Sequence, residues 1–314
     1  MTAPWKRSSL RRVRVALAAA VVTLLPSAAR SQATADSRAM NQTMAPFHLI
    51  GNIYYVGASD VTSYLIVTPA GDFLLDGGFV ETAPQIEANI KTLGFKLTDV
   101  KFLLNSHAHF DHAGGFAELQ RKSRAQLVAM EGDAGVLASG GFTDFAFGGK
   151  QQFPPVKPGR VIHDGDTVSL GGVKLTAHLT AGHTRGCTTW TMTTEENGKS
   201  YEVVFVGSAS ILSGYRFVDG QGHRASYAGM GADYDKTVRV LESLPCDVFL
   251  APHGSFFDLE DKRAAMTQAT QGAKGAQSAK ENPFIDPAGY QAYVARVKKA
   301  VEDEWASERA APSK

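Results

Sequence analysis

The amino-acid sequence predicts an α/β fold of four layers, an αβ/βα sandwich in which two β-sheets lie face to face with helices outside. Three observations predict it. Short β-rich runs give way to strands alternating with helices, and the same order returns in the second half of the chain. Behind a separate N-terminal segment, the remaining chain of about 280 residues has room for one large α/β domain or two small ones. Histidines and an aspartate cluster directly behind an apolar run, at the end of what reads as a buried strand, where irregular backbone carries functional side chains. No fixed-period repeat is present.

Taken in order, runs at 53–56, 64–68 and 73–76 are separated by Gly and Ser/Asp turn signals and read as a meander. Residues 82–93 read as a helix: Thr82 caps it, Pro84 suits its first turn, Ile86, Ile90 and Leu93 share a face, and Gly94 stops it. A buried strand at 100–104, a helix at 113–119, a strand at 126–130 and a short helix at 133–138 follow. Residues 139–158 then break the pattern with glycines, prolines and four phenylalanines, Phe142, Phe145, Phe147 and Phe153. So much aromatic surface suits a flap over an apolar cleft better than a solvated connector. Beyond it, strands are expected at 160–163, 173–178, 188–193 and 201–206, a helix at 233–244 and a strand at 247–250. A last helix from Pro287 to about Ser307, capped by Asp286, carries the stripe Tyr290, Tyr293, Val294, Val297, Val301 and Trp305, which should pack against the body.

The N-terminus stands apart. Lys6, Arg7, Arg11, Arg12 and Arg14 precede the apolar run 15–25 and then Pro26-Ser27-Ala28-Ala29, the pattern of a secretory signal peptide over residues 1–29. The apolar run is too short to span a bilayer, and small residues allow cleavage at Ala29 or as far as residue 35. The Arg11-Arg12 pair is only a weak sign of twin-arginine export. Residues 30–46 are then expected to be a flexible mature N-terminus and 47–314 a single domain. The expected product is periplasmic and monomeric, with no membrane anchor after cleavage. Removing residues 1–29 takes away five basic residues and no acidic one, so Lys+Arg falls from 32 to 27 against 31 Asp+Glu, a formal charge of −4. No basic stripe with interleaved aromatics remains, which argues against nucleic acid as a partner. Cys187 and Cys246 lie outside any CxxC spacing. Two free thiols are the simpler expectation, with a disulfide or a zinc-ligand role for Cys187 left open.

The chemistry concentrates in His107-Ala108-His109-Phe110-Asp111-His112, three imidazoles and a carboxylate within six residues. Borderline-soft divalent ions take imidazole nitrogen and carboxylate oxygen together, and zinc in particular favours His-rich shells that leave a position open for water. Alternating His107 and His109 can present both rings on one side of an extended turn, while Asp111 and His112 open the next helix and face a second ion. His183, in Ala181-Gly182-His183-Thr184, and His253, in Ala251-Pro252-His253-Gly254, each follow a strand and are flanked by small turn-forming residues. Both are therefore expected at a sheet rim as ligands. His48, His163, His178 and His223 lack such a turn and read as structural, with His163 and His178 inside strands.

HAHFDH, AGHT and APHG, together with Leu74-Leu75-Asp76-Gly77-Gly78, resemble the metallo-β-lactamase fold superfamily over essentially all of the chain behind the signal peptide. The resemblance implies one zinc on His107, His109 and His183, a second on Asp111, His112 and His253, and Asp76 behind the ligands. The branch is read at Val206-Gly207-Ser208-Ala209-Ser210. Thioester, lactone and phosphodiester hydrolases of this fold usually follow that glycine with a metal-bridging aspartate, which is absent here. Subclass B1 β-lactamases place a cysteine there and subclass B3 enzymes a serine. With Gly182-His183-Thr184 and Leu244-Pro245-Cys246-Asp247-Val248, the chain is similar to subclass B3.

That likeness implies a di-zinc hydrolase that opens the β-lactam amide of penicillins, cephalosporins and carbapenems, and so confers antibiotic resistance. Ser208 and Ser210 would hydrogen-bond the substrate carboxylate, and Asp111 would orient the attacking hydroxide as the catalytic residue. Loops 53–60 and 142–153 would set substrate preference. Two other readings stay open: another metallo-hydrolase of this fold, such as a lactonase, thioesterase or arylsulfatase-type esterase, and a non-catalytic zinc-binding module.

Overall fold

Alternation of side chains along each strand sorts the apolar residues into two cores, and that sorting produces the layers. In the computed structural model, which describes residues 1–2, 35–220, 222–272 and 281–310, the first sheet runs in the order β1 (Phe47–Ile50), β2 (Ile53–Tyr55), β3 (Tyr64–Ile66), β4 (Asp72–Leu75), β5 (Val100–Leu104), β6 (Gln126–Met130) and β7 (Arg160–Ile162). The pairs from β1 to β4 are antiparallel and those from β4 to β7 parallel. The second sheet contains β8 (Thr167–Leu170), β9 (Val173–Leu179), β10 (Thr188–Glu196), β11 (Lys199–Phe205) and β12 (Val248–Leu250), antiparallel except for the parallel pair β11 and β12.

Phe73, Leu75, Leu104 and Val128 of the first sheet share a core with Leu175, Trp190, Val203 and Phe205 of the second. Their sequence neighbours Leu74, Leu103 and Leu127 point the other way, into a separate core with Ile86, Ile90, Phe116, Leu119 and Leu137. Those residues come from helices α2 (Ala83–Thr92), α4 (Phe116–Ser123) and α5 (Glu131–Ser139), which therefore cover the outer face. The second sheet is covered by α6 (Met230–Ser243) and α8 (Pro287–Ala310), whose Tyr234, Leu241, Tyr290, Tyr293, Val297 and Val301 are buried. This is the expected αβ/βα sandwich. The stripe on α8 is core contact as expected, and Asp286 accepts the Gly289 N–H at 2.8 Å at its start.

Several details differ from the sequence reading. β1, β8 and α7 (Leu259–Gly272) were not expected at all. The strand at Arg160–Ile162 belongs to the first sheet, because it pairs with β6, and His163 lies just beyond its end. The helix expected at 113–119 is two: α3 (Phe110–Ala113) and α4, parted at Gly114-Gly115. A Cβ on Gly115 would lie 2.2 Å from the Gly77 carbonyl oxygen, so the chain there packs too closely for any side chain. Thr82 precedes α2 without capping it; its hydroxyl accepts the Phe79 N–H and donates to Asn41. From residue 35 the stretch read as a flexible tail forms α1 (Ala35–Met40), and the Met40 carbonyl accepts the N–H groups of Asp60 and Val61 at 3.1 Å. Cys187 and Cys246, by contrast, are free thiols as expected. The signal-peptide segment lies, from residue 3 to residue 29, outside the described residues. Among the described residues no helix is long and apolar enough to cross a membrane.

The topology aims several loops at one place. Parallel pairing of β4 with β5 brings Asp76 beside Ser106, and pairing of β11 with β12 sends the loops at Ser208 and His253 the same way. His183, in the turn between β9 and β10, meets them there.

Candidate metal centre

The loop after β5 is held by the core beneath it. Trp190, fully buried, donates its indole N–H to the Asn105 carbonyl at 3.1 Å, Asn105 donates to the His107 carbonyl at 2.7 Å, and the Ser106 carbonyl accepts the Thr188 N–H at 2.7 Å. Asp76 adopts φ +62°, unusual for a residue with a side chain. Its carboxylate accepts the Ser106 N–H at 2.8 Å and the Ser106 hydroxyl at 2.6 Å. His107 and His109 are thereby presented from a rigid turn, and Asp111 and His112 from α3 behind it.

Around this turn the structure brings together all six expected ligands. One candidate donor atom from each of His107, His109 and His183 lies within 4.8 Å of the others, and all three residues are buried. His107, Asp111 and His112 satisfy the same test. His253 joins that second group: its Nε2 is 3.3 Å from His112 Nε2 and 3.6 Å from an Asp111 oxygen, which is itself 3.3 Å from His112 Nε2.

Each histidine has its other ring nitrogen turned to an oxygen. His183 Nδ1 meets the Ser210 carbonyl at 2.7 Å, which can only accept, so that nitrogen carries the proton and Nε2 is left as a lone pair. His253 Nδ1 meets Asp60 at 2.8 Å in the same sense. His107 Nδ1 meets the Ser106 hydroxyl at 3.0 Å, whose own proton points to Asp76. His112 Nδ1 and His109 Nε2 face Asp76 and Asp144 at 3.5 and 3.6 Å, and neither has a hydrogen-bond partner. Orientation of a ring by an oxygen acceptor on its far nitrogen is the arrangement that fixes a metal-binding imidazole.

Electrostatics agree for the first group and for Asp111, while His112 without an ion is drawn towards its charged form by Asp111 and Asp76. Burial drives His107 and His109 well below the ordinary imidazole value, helped by the neighbouring histidines, and brings His183 down to about 4. These three rings are neutral, as a ligand requires. Burial works against the charge on Asp111, but His112 and His253 outweigh it and hold the carboxyl well below the usual range. Burial likewise opposes a charge on His112, and Asp111 overrides it and pushes the ring up. In that pair, attraction between partners 3.3 Å apart beats desolvation.

The donors therefore fit a divalent ion of zinc type: three imidazoles in one group, two imidazoles and a carboxylate in the other. The histidines read as structural are elsewhere. His48 bonds the Gly51 carbonyl, His178 bonds Thr191 across β9 and β10, and His163 is exposed.

Ser208 and Ser210 border the centre with unequal access. Ser208 is buried and its hydroxyl accepts the Ser210 N–H at 3.4 Å, whereas Ser210 is partly exposed. The 139–158 loop reaches the centre at His109, through Phe147 and Asp144. Phe147 lies edge-on to His109 with centroids 4.9 Å apart, and Phe145 packs against Tyr215 and Tyr227 at 5.4 and 5.0 Å. Asp144, buried beside them, is pushed up to about 6 by that burial. Tyr215 donates its hydroxyl to the His183 carbonyl at 2.7 Å. Asp60, Asp133, Asp144 and Tyr215 are site residues that the sequence reading did not single out. Nothing in the local sequence marks them, although Asp144 is the one carboxylate among the flap phenylalanines.

A family profile described as the Metallo-beta-lactamase superfamily matches residues 56–253. Among solved structures, the chain is similar to native FEZ-1 metallo-beta-lactamase from Legionella gormanii, at 40% identity and a TM-score of 0.80, covering 86% of this chain and 99% of that one. It is also similar to the class B3 di-zinc metallo-beta-lactamase LRA-12 from an Alaskan soil metagenome, at 34% identity and a TM-score of 0.73, covering 86% and 97%. Among curated proteins it is 30% identical over 126 residues to a hydroxyacylglutathione hydrolase of Rhodopseudomonas palustris (strain HaA2). That match covers 40% of this chain, which spans only 41% of the hydrolase's length. With its strand-end histidines and two-sheet sandwich accounted for, the chain belongs to the metallo-beta-lactamase superfamily.

Proposed function

We propose that this protein is an exported zinc-dependent β-lactamase with two metal ions, one on His107, His109 and His183 and the other on Asp111, His112 and His253. The observation that carries this reading is the convergence of six donors in which every histidine has its far nitrogen turned to an oxygen. When bound there, zinc lowers the pKa of a coordinated water towards about 7 and polarises a carbonyl group.

The chain's own residues do the rest. Asp111 stays ionised at neutral pH, so it can both ligate and accept a hydrogen bond that orients the attacking water. Ser210 offers a partly exposed hydroxyl to the substrate carboxylate, and Ser208 beneath it fixes the Ser210 backbone rather than reaching substrate freely. Phe147, edge-on to His109, keeps bulk water from that side of the centre, which strengthens electrostatic interactions inside it, while Phe145 wedges the flap against Tyr215 and Tyr227.

The β-lactam reading is favoured over a thioester or lactone reading by two facts. The family resemblance implies that Ser208 stands where those hydrolases usually carry a bridging aspartate, and the β-lactamase structures align along nearly their whole length while the hydroxyacylglutathione hydrolase aligns over two fifths. Export to the periplasm without a retained anchor rests on the N-terminal sequence alone, a monomeric state is part of the same proposal, and resistance to penicillins, cephalosporins and carbapenems follows as the biological role. The test is hydrolysis of nitrocefin, a hydroxyacylglutathione thioester and a homoserine lactone, each with and without EDTA. Chelator-sensitive turnover of nitrocefin is expected to dominate. Activity confined to the thioester or lactone would refute the β-lactam assignment, and nitrocefin turnover that survives EDTA would refute the metal.

A further inference from the structure

We propose that Asp133 is a positioning residue for one of the two metal groups, tying the loop that carries His107 and His109 to the loop that carries His183. The inference rests on the metal-centre reading above. Asp133 sits in the first turn of α5 and is completely buried. Its Oδ2 accepts the Ala108 N–H and the Thr184 hydroxyl, both at 2.8 Å, and its Oδ1 accepts the Gly186 N–H at 2.8 Å. Ala108 separates His107 from His109, and Thr184 directly follows His183. Every ligand of this group is therefore one residue from a bond to the same carboxylate.

The contact is closer than side chains would permit. A Cβ on Gly132 would lie 2.4 Å from the Arg185 carbonyl oxygen, and one on Gly186 would lie 2.3 Å from the Asp133 nitrogen. Two glycines thus let α5 press against the His183 loop, and Asp133 occupies the seam. Burying a carboxylate among neutral donors is costly, and α5 is already anchored to the outer core by Leu137. A helix that needed only packing would place an apolar residue at the seam. The second group is held by other residues: His112 faces Asp76 and His253 bonds Asp60. Loss of Asp133 should therefore fall on one ion and spare the other, a selectivity that a general loss of stability would not produce.

The experiment titrates metal-free protein with Zn2+ against a chromophoric chelator. Ring-nitrogen NMR of the histidines reports which group fills. In Asp133→Asn the amide faces at least one N–H donor, so affinity at His107, His109 and His183 is expected to fall about 10- to 100-fold, with the other ion within about twofold. Thr184→Val removes one bond and leaves the carboxylate, so a smaller fall at the same group is expected, and this variant decides the matter should the first not fold. Exchange of the Ala108 amide proton in metal-free Asp133→Asn should also accelerate. Equal weakening of both ions, or unchanged affinity in a folded variant, overturns the proposal. A wild-type protein that takes up no ion overturns the metal-centre reading itself.

Discussion

Asp60→Asn isolates one support of the centre without touching a ligand. Asp60 holds His253 from two directions. One carboxylate oxygen meets the ring Nδ1 at 2.8 Å, the other accepts the Ser255 N–H at 2.8 Å, and the Asp60 carbonyl accepts the Gly254 N–H at 2.7 Å. Burial opposes the charge on Asp60, yet the bond to His253 outweighs it and keeps the carboxyl below its usual range. Asparagine has the same shape but only one acceptor, so either the ring or the Ser255 N–H must face an amide donor. A hydrogen bond to a charged group contributes about 1.5–3 kcal/mol. If all of it is lost from the metal-bound state, at about 1.4 kcal/mol per factor of ten, affinity for the ion on Asp111, His112 and His253 falls roughly 10- to 150-fold. Metal-free stability should fall as well, because the ionised Asp60 is favoured in the native state, while the backbone bonds at Gly254 and Val61 keep the loop in place. Chelator competition measures the two affinities, and thermal unfolding of the metal-free protein measures stability. An unchanged affinity with His253 still in place would refute the reasoning that its orientation depends on Asp60.

Asp111→Asn should reduce kcat by at least about 100-fold while leaving the circular dichroism spectrum intact, because the substitution removes both a ligand charge and a water-orienting acceptor; a loss under tenfold would contradict that role. His183 is held at about 4 in the native state by burial, against about 6.5 unfolded. Between those values only the unfolded chain takes up the proton, so metal-free stability should fall as pH drops from about 6.5 towards 4, with about 2–3 kcal/mol from this residue. His183→Gln, which keeps a donor for Ser210, should flatten that decline in urea melts at pH 7 and 4.5, and parallel curves would refute it. Phe145→Ala should loosen the flap, raising KM several-fold with kcat nearly unchanged and speeding trypsin cleavage at Lys150, since each lost aromatic contact is worth about 0.5–1.5 kcal/mol. A variant with wild-type KM and wild-type cleavage would show that the flap does not depend on this wedge.

The ligands were legible in the sequence because four of the six fall within one turn, and because His183 and His253 each stand among small residues behind an apolar run. Asp76 was legible only through the resemblance of Leu74-Leu75-Asp76-Gly77-Gly78 to the family pattern, since the turn alone accounts for an aspartate there. The residues that orient the ligands were not. Asp60 reaches His253 across 193 positions and Asp133 reaches Thr184 across 51, so their roles exist only once the two sheets are stacked. The same limit explains β7: an apolar run announces a strand, but only its pairing with Val128 and Met130 assigns it to the first sheet. β1 was overlooked because four residues beside a polar stretch carry too short a pattern, although Leu49 and Ile50 are buried. Where periodicity was long, as on α8, the sequence reading and the structure agree.

The most direct measurement is a crystal structure of the protein purified without chelator, with anomalous scattering recorded on both sides of the zinc absorption edge. Two peaks are expected, one ringed by His107, His109 and His183 and one by Asp111, His112 and His253. A map with no zinc signal there, or with the signal at other residues, would contradict the account.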